Sequence, residues 1–317
     1  MSSKTADGLH SIVVPVYNSG MGLDILVREI DQLMKASAIR YELVMVDDGS
    51  RDDSYEKIKG LAQKGFPIRG FRLSRNFGHQ AALAVGLRQS RGEFVAIIDD
   101  DMQDPPSLLP GFFKRLYDGY DVVYGIRRER KEGLLKRMAY ALYYRIFNQM
   151  AESLIPMDAG DFCCMRRRVV DAMLQLCEAR PFWRGIRAWV GFRQTGIEYT
   201  RAARAYGSPG YNIFKYIRIA MTGILGFSYV PLRLATFLGL TVGIISFIYA
   251  VVIVCWWFIG KERPPGYASL IVFMAILGST QLLCLGIMGE YISRLCDESR
   301  KWPIAFISES TQDAPPE

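Results

Sequence analysis

Asp99, Asp100 and Asp101 directly follow an apolar run, Phe94–Ile98, and Gln103 and Asp104 come within the next three positions. Adjacent carboxylates at one strand end repel one another unless a cation is held among them. A ligand set made only of oxygens suits Mg²⁺ or Mn²⁺, and both ions bind phosphates. In an extended segment Asp99 and Asp101 face the same side, so Asp101 and Gln103 can give oxygens to one cation. The alternative is a solvated acidic turn ahead of a helix that starts at Pro105.

Other apolar runs end in the same way. Ser11–Val16 leads into Tyr17 and Asn18, Tyr41–Val46 into Asp47-Asp48-Gly49-Ser50, and Ile68–Leu73 into Ser74-Arg75-Asn76. Helix-length polar stretches, Asp52–Lys64 and Gln80–Gln89 among them, separate these runs. Short apolar strands alternating with helices predict a parallel, doubly wound α/β sheet. Ligands of such sheets lie beyond the carboxyl ends of the strands, where this chain carries its Asp, Asn and Arg. Arg127, Arg128 and Arg130 follow a fifth run, Asp121–Tyr124. They can meet a diphosphate through charge-assisted hydrogen bonds or form a solvated basic turn.

Half of the 317 residues are hydrophobic, and the reason is local. Leu234–Gly260 and Pro264–Gly289 carry no Asp, Glu, Lys, Arg or His, and each is long enough to cross a hydrocarbon core of about 30 Å. The short connection Lys261-Glu262-Arg263 makes them an antiparallel hairpin, expected at about 234–259 and 266–289. Trp256 and Trp257 mark one interface. Arg201, Arg204, Lys215, Arg218 and Arg233 precede the pair and Arg294, Arg300 and Lys301 follow it, against two basic residues in the loop. The positive-inside rule therefore places residues 1–205 and the tail 291–317 on the cytoplasmic side of an inner (plasma) membrane. Met1–Gly8 is polar, unlike a signal peptide. Residues 133–153 have helical apolar spacing and fit a membrane surface or an ordinary core; 206–232 read as an interfacial helix region. The tail after Ile307 is polar and contains proline, a composition expected to be disordered.

Several chemistries are excluded. The chain has no G-x-x-x-x-G-K-[ST] loop, and Gly20-Met21-Gly22 lacks the third glycine of a dinucleotide fingerprint. None of the six cysteines forms a C-x-x-C pair, and His10 and His79 are the only histidines, which leaves carboxylates to do proton or metal chemistry. With apolar spans present, the net charge of +7 points to anionic lipid and phosphate ligands, not nucleic acid.

The order of motifs carries more than any one of them. Val14-Pro15-Val16-Tyr17-Asn18, Val46-Asp47-Asp48-Gly49-Ser50, Leu73-Ser74-Arg75-Asn76-Phe77-Gly78-His79, Asp99 to Pro106, Asp158-Ala159-Gly160-Asp161-Phe162 and Gly289-Glu290-Tyr291 follow one another. In that order they resemble family 2 glycosyltransferases of the polyprenyl-phosphate type, which include dolichol-phosphate mannose synthases and bacterial undecaprenyl-phosphate glucosyl transferases. The resemblance implies a GT-A (Rossmann-like) domain, interfacial helices and a C-terminal transmembrane hairpin. It also implies inverting transfer of a sugar from a nucleotide-sugar to a polyprenyl phosphate, and makes a homo-oligomer an expectation. UDP-glucose is the first expectation for the donor, with GDP-mannose and modified UDP-pentoses as alternatives.

By the same resemblance Pro15, Tyr17, Asp47 and Asp48 line the base and ribose pocket, with Asn18 and Arg75 beside them. Asp99 lies near ribose or metal, and Asp101 and Gln103 hold the ion. Arg127 and Arg130 face the diphosphate or lipid phosphate, with Arg204 and Lys215 on the acceptor side. Asp161 takes the acceptor-side acidic position; Asp158 and Asp161 can also be read as an N-cap pair before a helix over Arg166–Leu176. The chain departs from the family pattern at Asp100, where many relatives have alanine, at Cys163, where many have arginine, and at Gly210, where many have lysine. A processive polysaccharide synthase would need a Gln-x-x-Arg-Trp motif, which the chain lacks. A non-catalytic scaffold would not need Asp99, Asp101 and Gln103.

Overall fold

The computed structural model describes residues 8–128, 159–176, 181–200, 230–258 and 266–312. These fall into two units, one holding the N-terminal domain together with residues from Trp302 onward, the other holding Ile213–Lys301. The expected helix at 133–153, the region 206–229, and Arg130, Asp158, Arg204 and Lys215 lie outside the described residues.

The first unit is built on an eight-stranded sheet of order β7-β5-β6-β4-β1-β2-β3-β8. Its strands are β1 His10–Val16, β2 Tyr41–Asp47, β3 Ile68–Leu73, β4 Phe94–Ile97, β5 Val122–Arg128, β6 Ala159–Arg166, β7 Gln194–Thr200 and β8 Ile307–Ser310. β1, β2, β3 and β4 pair in parallel, as the alternation of apolar runs and helices requires. They are apolar on both faces because helices cover both. α1 (Leu23–Ala36), α2 (Ser54–Gln63) and α4 (Leu109–Tyr117) share one core with Ile12, Val14, Leu43 and Met45. α3 (His79–Gln89) packs against β1 and β2 from the alternate residues. In α1 the buried residues Leu23, Leu26, Val27, Ile30 and Met34 recur at helical spacing, so one stripe faces the sheet.

The sheet is mixed, which corrects the all-parallel expectation. β6 runs antiparallel to both β4 and β5, while β7 is parallel to β5. The fifth strand reaches Arg128, so Arg127 and Arg128 belong to the strand and not to a turn after it. The helix expected from Pro105 begins as a single 3₁₀ turn, Pro106–Leu108, before α4. Asp161 lies within β6, and the next helix, α5 (Arg167–Gln175), starts six residues later. The N-cap reading of Asp161 is therefore wrong. α6 (Trp183–Trp189) follows α5.

The C-terminal expectation also changes. Ile307–Ser310 is an ordered strand, β8, antiparallel on the outer edge of β3. Three of the four residues of Ile-Ser-Glu-Ser are polar and two are exposed, as an edge strand permits, so the segment carries no apolar alternation.

The second unit contains α7 (Val230–Phe258) and α8 (Tyr267–Ser299). At 29 and 33 residues both exceed the length needed to cross a bilayer. Their most apolar windows are 6 % and 0 % buried, unlike core helices of a soluble domain. Ala235 of α7 accepts from Cys284 Sγ of α8, and Tyr249 stacks on Phe273, so the two helices pack antiparallel.

Candidate active site

The carboxyl ends of β1, β2 and β4 bring together residues far apart in sequence. Asp47 closes β2 with a fully buried side chain and accepts the Ser50 N–H at 3.3 Å. Burial pushes its carboxyl upward against the Ser50 hydrogen bonds and the Arg72 charge. Asp48 accepts the N–H groups of Phe77 (2.7 Å) and Gly78 (2.9 Å) at the start of α3. Burial also raises its carboxyl, and those two donors oppose the rise. Gly49, at φ +65°, lets this loop lie on the backbone of Arg75 and Asn76, where a Cβ would stand 2.5 Å from the Arg75 carbonyl carbon.

Asn18, also in the left-handed region at φ 52°, ties the β1 loop to the β2 loop. Its Oδ1 accepts from Arg51 N (2.9 Å) and its own N–H donates to Ser50 Oγ (3.0 Å). Tyr17 beside it is 45 % exposed, which leaves its ring open to a ligand. Pro15 is buried in β1, in register with Val46. The Arg75 guanidinium lies over the Phe77 ring at 4.1 Å.

The triple aspartate divides by contact. Asp100 Oδ2 accepts the Tyr17 N–H at 3.3 Å, fastening the end of β4 to the loop after β1. Burial lifts its carboxyl to about 6, against hydrogen bonds from Ser19 and Tyr17. Asp101 Oδ1 accepts the Gln103 N–H at 3.1 Å, and Gln103 itself is buried. Asp99 Oδ1 is buried and accepts no hydrogen bond from a described residue. Burial pushes its carboxyl up to about 7; His79 opposes the shift, and the charges of Asp161, Asp104 and Asp101 add to it.

A divalent cation fits that corner. It supplies what a buried, unbonded carboxylate oxygen among like charges lacks. Among the described residues no group of three or more His, Cys, Asp or Glu side chains is placed to hold a metal ion by itself. An ion there would complete its shell with phosphate oxygens and water, as Mg²⁺ commonly does.

Around Asp99 stand residues that sequence reasoning did not assign. His79 Nε2 is 3.8 Å from Asp99 Oδ1 and 3.6 Å from Asp161 Oδ2. Burial works against its charge, but the Asp161 hydrogen bond and the two carboxylate charges outweigh it and lift His79 to about 8. Arg184 holds Asp161 in a two-pronged pair, Nε to Oδ1 at 2.9 Å and Nη2 to Oδ2 at 3.0 Å. Although burial opposes it, Arg184 and then His79 hold the Asp161 carboxyl well below the usual range. Arg184 is placed by its neighbour: Trp183 donates its N–H and indole N–H to Gln80 of α3.

Arg127 reaches the same region from β5. Its Nε donates to Tyr199 Oη at 3.3 Å and its Nη2 lies 3.7 Å from Asp104 Oδ2. Tyr199 of β7 donates in turn to the fully buried Asp104. Gly160 leaves room for this guanidinium, since a Cβ there would come within 2.9 Å of Arg127 Nη2. Asp104 belongs to the Asp99–Pro106 stretch, and its partners Tyr199 and Arg127 come from β7 and β5. Arg184 and Tyr199 gave no local signal, because non-local strand and helix packing brings them in.

The arrangement sets an exposed Tyr17 ring, a buried acidic corner at Asp99 and an Arg127 guanidinium held by Tyr199 and Asp104 at one end of the sheet. Comparison with known proteins gives the family. Residues 11–174, from β1 to α5, match the model of "Glycosyl transferase family 2". The chain is 37 % identical over 302 residues to the uncharacterized glycosyltransferase YkcC of Bacillus subtilis, covering 95 % of this chain and 94 % of that protein. It is 34 % identical over 303 residues to the bactoprenol glucosyl transferase of Shigella phage SfV, covering 95 % and 99 %. Among solved structures, glucosyl-3-phosphoglycerate synthase of M. tuberculosis superposes with a TM-score of 0.50 at 18 % identity, over 70 % of this chain and 81 % of that one, a likeness of fold. The family match and the near-full-length relatives place the chain in glycosyl transferase family 2.

Proposed function

We propose that the protein transfers a glucosyl group from UDP-glucose to a polyprenyl phosphate at the cytoplasmic face of a membrane, with inversion at the anomeric carbon. The observation that carries this reading is coverage. The similarity to a bactoprenol glucosyl transferase spans 95 % of the chain and so takes in both apolar helices as well as the nucleotide-sugar domain.

Asp47, Asp48 and Tyr17 bind and orient the nucleoside, with Asn18 and Arg75 shaping the loops around it. Asp99 and Asp101, with Gln103 beside them, would hold a divalent ion, which when bound would supply positive charge to the departing diphosphate. Arg127, fixed by Asp104 and Tyr199, meets the same diphosphate or the incoming phosphate. Arg130, Arg204 and Lys215 are assigned to the lipid phosphate from sequence alone.

The acceptor needs little activation. A phosphate monoester has its second pKa near about 6 and is mostly a dianion at neutral pH. A carboxylate pinned by Arg184 and His79 is a weak base, so Asp161 suits electrostatic positioning. Its partner His79 brings positive charge to the acceptor side of the reaction centre. The remaining barrier is lowered by alignment and by stabilising the leaving group.

The test uses Asp101→Asn in the full-length chain with UDP-glucose, Mn²⁺ and undecaprenyl phosphate. Turnover should fall at least about a hundredfold, the scale of losing roughly 3 kcal/mol of charge stabilisation, with the thermal midpoint unchanged. Near-normal turnover in that variant would sink the reading. Calorimetry of the parent protein with UDP and Mn²⁺ separates an enzyme from a non-catalytic scaffold, which would bind neither.

A further inference from the structure

Beyond α8 the chain returns to the sheet and ends beside the residues assigned above to the nucleoside. β8 pairs with β3, the strand next to β2. Glu309 of β8 accepts from two cations: Oε1 from Arg72 Nη1 at 3.2 Å and Oε2 from Lys59 Nζ at 2.8 Å. Arg72 carries the connection inward. Its Nε lies 3.4 Å from Asp47 Oδ2, and its Nη2 donates to the Ser50 carbonyl at 3.4 Å. Its guanidinium also lies over the Tyr55 ring at 5.3 Å.

A second link runs through Phe306, just ahead of β8. Its carbonyl accepts the Ser74 N–H at 2.9 Å, and its ring is 6.4 Å from that of Phe77. Phe77 is the residue whose N–H donates to Asp48. Each member of the Asp47-Asp48 pair thus lies one residue away from the C-terminal segment, through Arg72 or through Phe77.

The physical demand comes from Asp47. Its side chain is fully buried, and a buried carboxylate needs a fixed positive partner. Arg72 is one-third exposed and free to turn toward water unless its other nitrogens are held. Glu309 supplies that anchor, and Arg fork geometry makes the three contacts mutually restricting.

We propose that the segment following the apolar hairpin completes the nucleotide subsite, with Glu309 a positioning residue that holds Arg72 against Asp47. The inference rests on the reading of Asp47 and Asp48 as nucleoside ligands. It makes the chain beyond the hairpin a determinant of donor affinity.

The experiment measures steady-state kinetics and UDP titration for full-length Glu309→Gln, an isosteric change at a half-exposed position. The donor KM and UDP Kd should rise about tenfold, while kcat and the acceptor KM stay within about twofold. Lys59→Met, which breaks the other ion pair of the same carboxylate, should leave the donor KM unchanged. Arg72→Gln should raise it at least as much as Glu309→Gln, and the double variant should be no worse than Arg72→Gln alone. A merely structural strand would move the thermal midpoint and not this split. If the parent protein binds UDP and Glu309→Gln binds it equally well, or if the two substitutions add, the inference is overturned while the function stands. If the parent protein binds no UDP, the functional reading itself falls and this inference with it.

Discussion

Three adjacent aspartates show how far residue types alone can be read. Their like charges call for a counter-charge, and Asp99 keeps a buried oxygen that accepts no hydrogen bond from a described residue. Asp100 instead accepts the Tyr17 N–H, a contact 83 positions away that no local pattern encodes. A simpler residue-scale case is His10, buried in β1 between the rings of Phe94 and Phe113. Its Nε2 is 2.6 Å from Tyr117 Oη and its Nδ1 3.2 Å from the Arg40 carbonyl. Burial lowers its pKa below 6.5 despite the backbone acceptors. The folded state therefore holds the neutral ring while the unfolded chain takes up a proton near 6.5. This contribution to stability is present above that value and is lost as pH falls toward the folded pKa, with a limiting slope of about 1.4 kcal/mol per pH unit. His10→Gln should be less stable than the parent by about 1–2 kcal/mol at pH 8, and that gap should shrink by pH 5.5. Thermal midpoints of both proteins in detergent at the two pH values check this; a gap independent of pH would refute it.

At the scale of elements, legibility followed sequence separation. β1 to β4 and their helices were readable because each apolar run and each polar spacing is local, and parallel pairing follows from the crossovers. β6 and β8 were not readable. β6 is inserted between β5 and β4, so its neighbours are set by packing from distant segments. β8 has almost no apolar signal, because its stabilisation comes from polar links: Thr311 N–H to the Gly70 carbonyl, Gly70 N–H to Thr311 Oγ1, Ser308 Oγ to the Arg72 carbonyl. Ending the chain after Lys301 would strip those bonds and leave the outer edge of β3 open. An open edge invites pairing with another chain. At roughly 1 kcal/mol per lost hydrogen bond, the truncated protein should melt at least about 5 °C lower and aggregate faster, as read by scanning fluorimetry and light scattering. An unchanged midpoint without aggregation would show that β8 contributes nothing to the domain.

At the scale of the molecule, the two apolar helices are an insertion into the fold and not an appendage. The unit that begins at the N-terminus resumes at Trp302, so the chain leaves the sheet for α7 and comes back to it after α8. If the helices span, both flanks lie on one membrane side, in agreement with the basic residues there. A deletion from Leu234 onward would remove β8 along with the anchor and confuse their contributions. Replacing Val230–Lys301 by a flexible linker of about fifteen residues, with Trp302–Gln312 kept, separates them. Such a linker spans roughly 20 Å on average and can stretch further. UDP binding should persist within about threefold, because Asp47, Arg72 and Glu309 are retained. Transfer to a short, detergent-dispersed polyprenyl phosphate should persist as well. Transfer to undecaprenyl phosphate in vesicles should fall at least tenfold, because a membrane anchor raises the effective concentration of enzyme and acceptor without any new contact. Equal turnover on vesicles by the linked and parent proteins would show that the hairpin has no part in meeting the acceptor, and that the domain finds its lipid through its own surface.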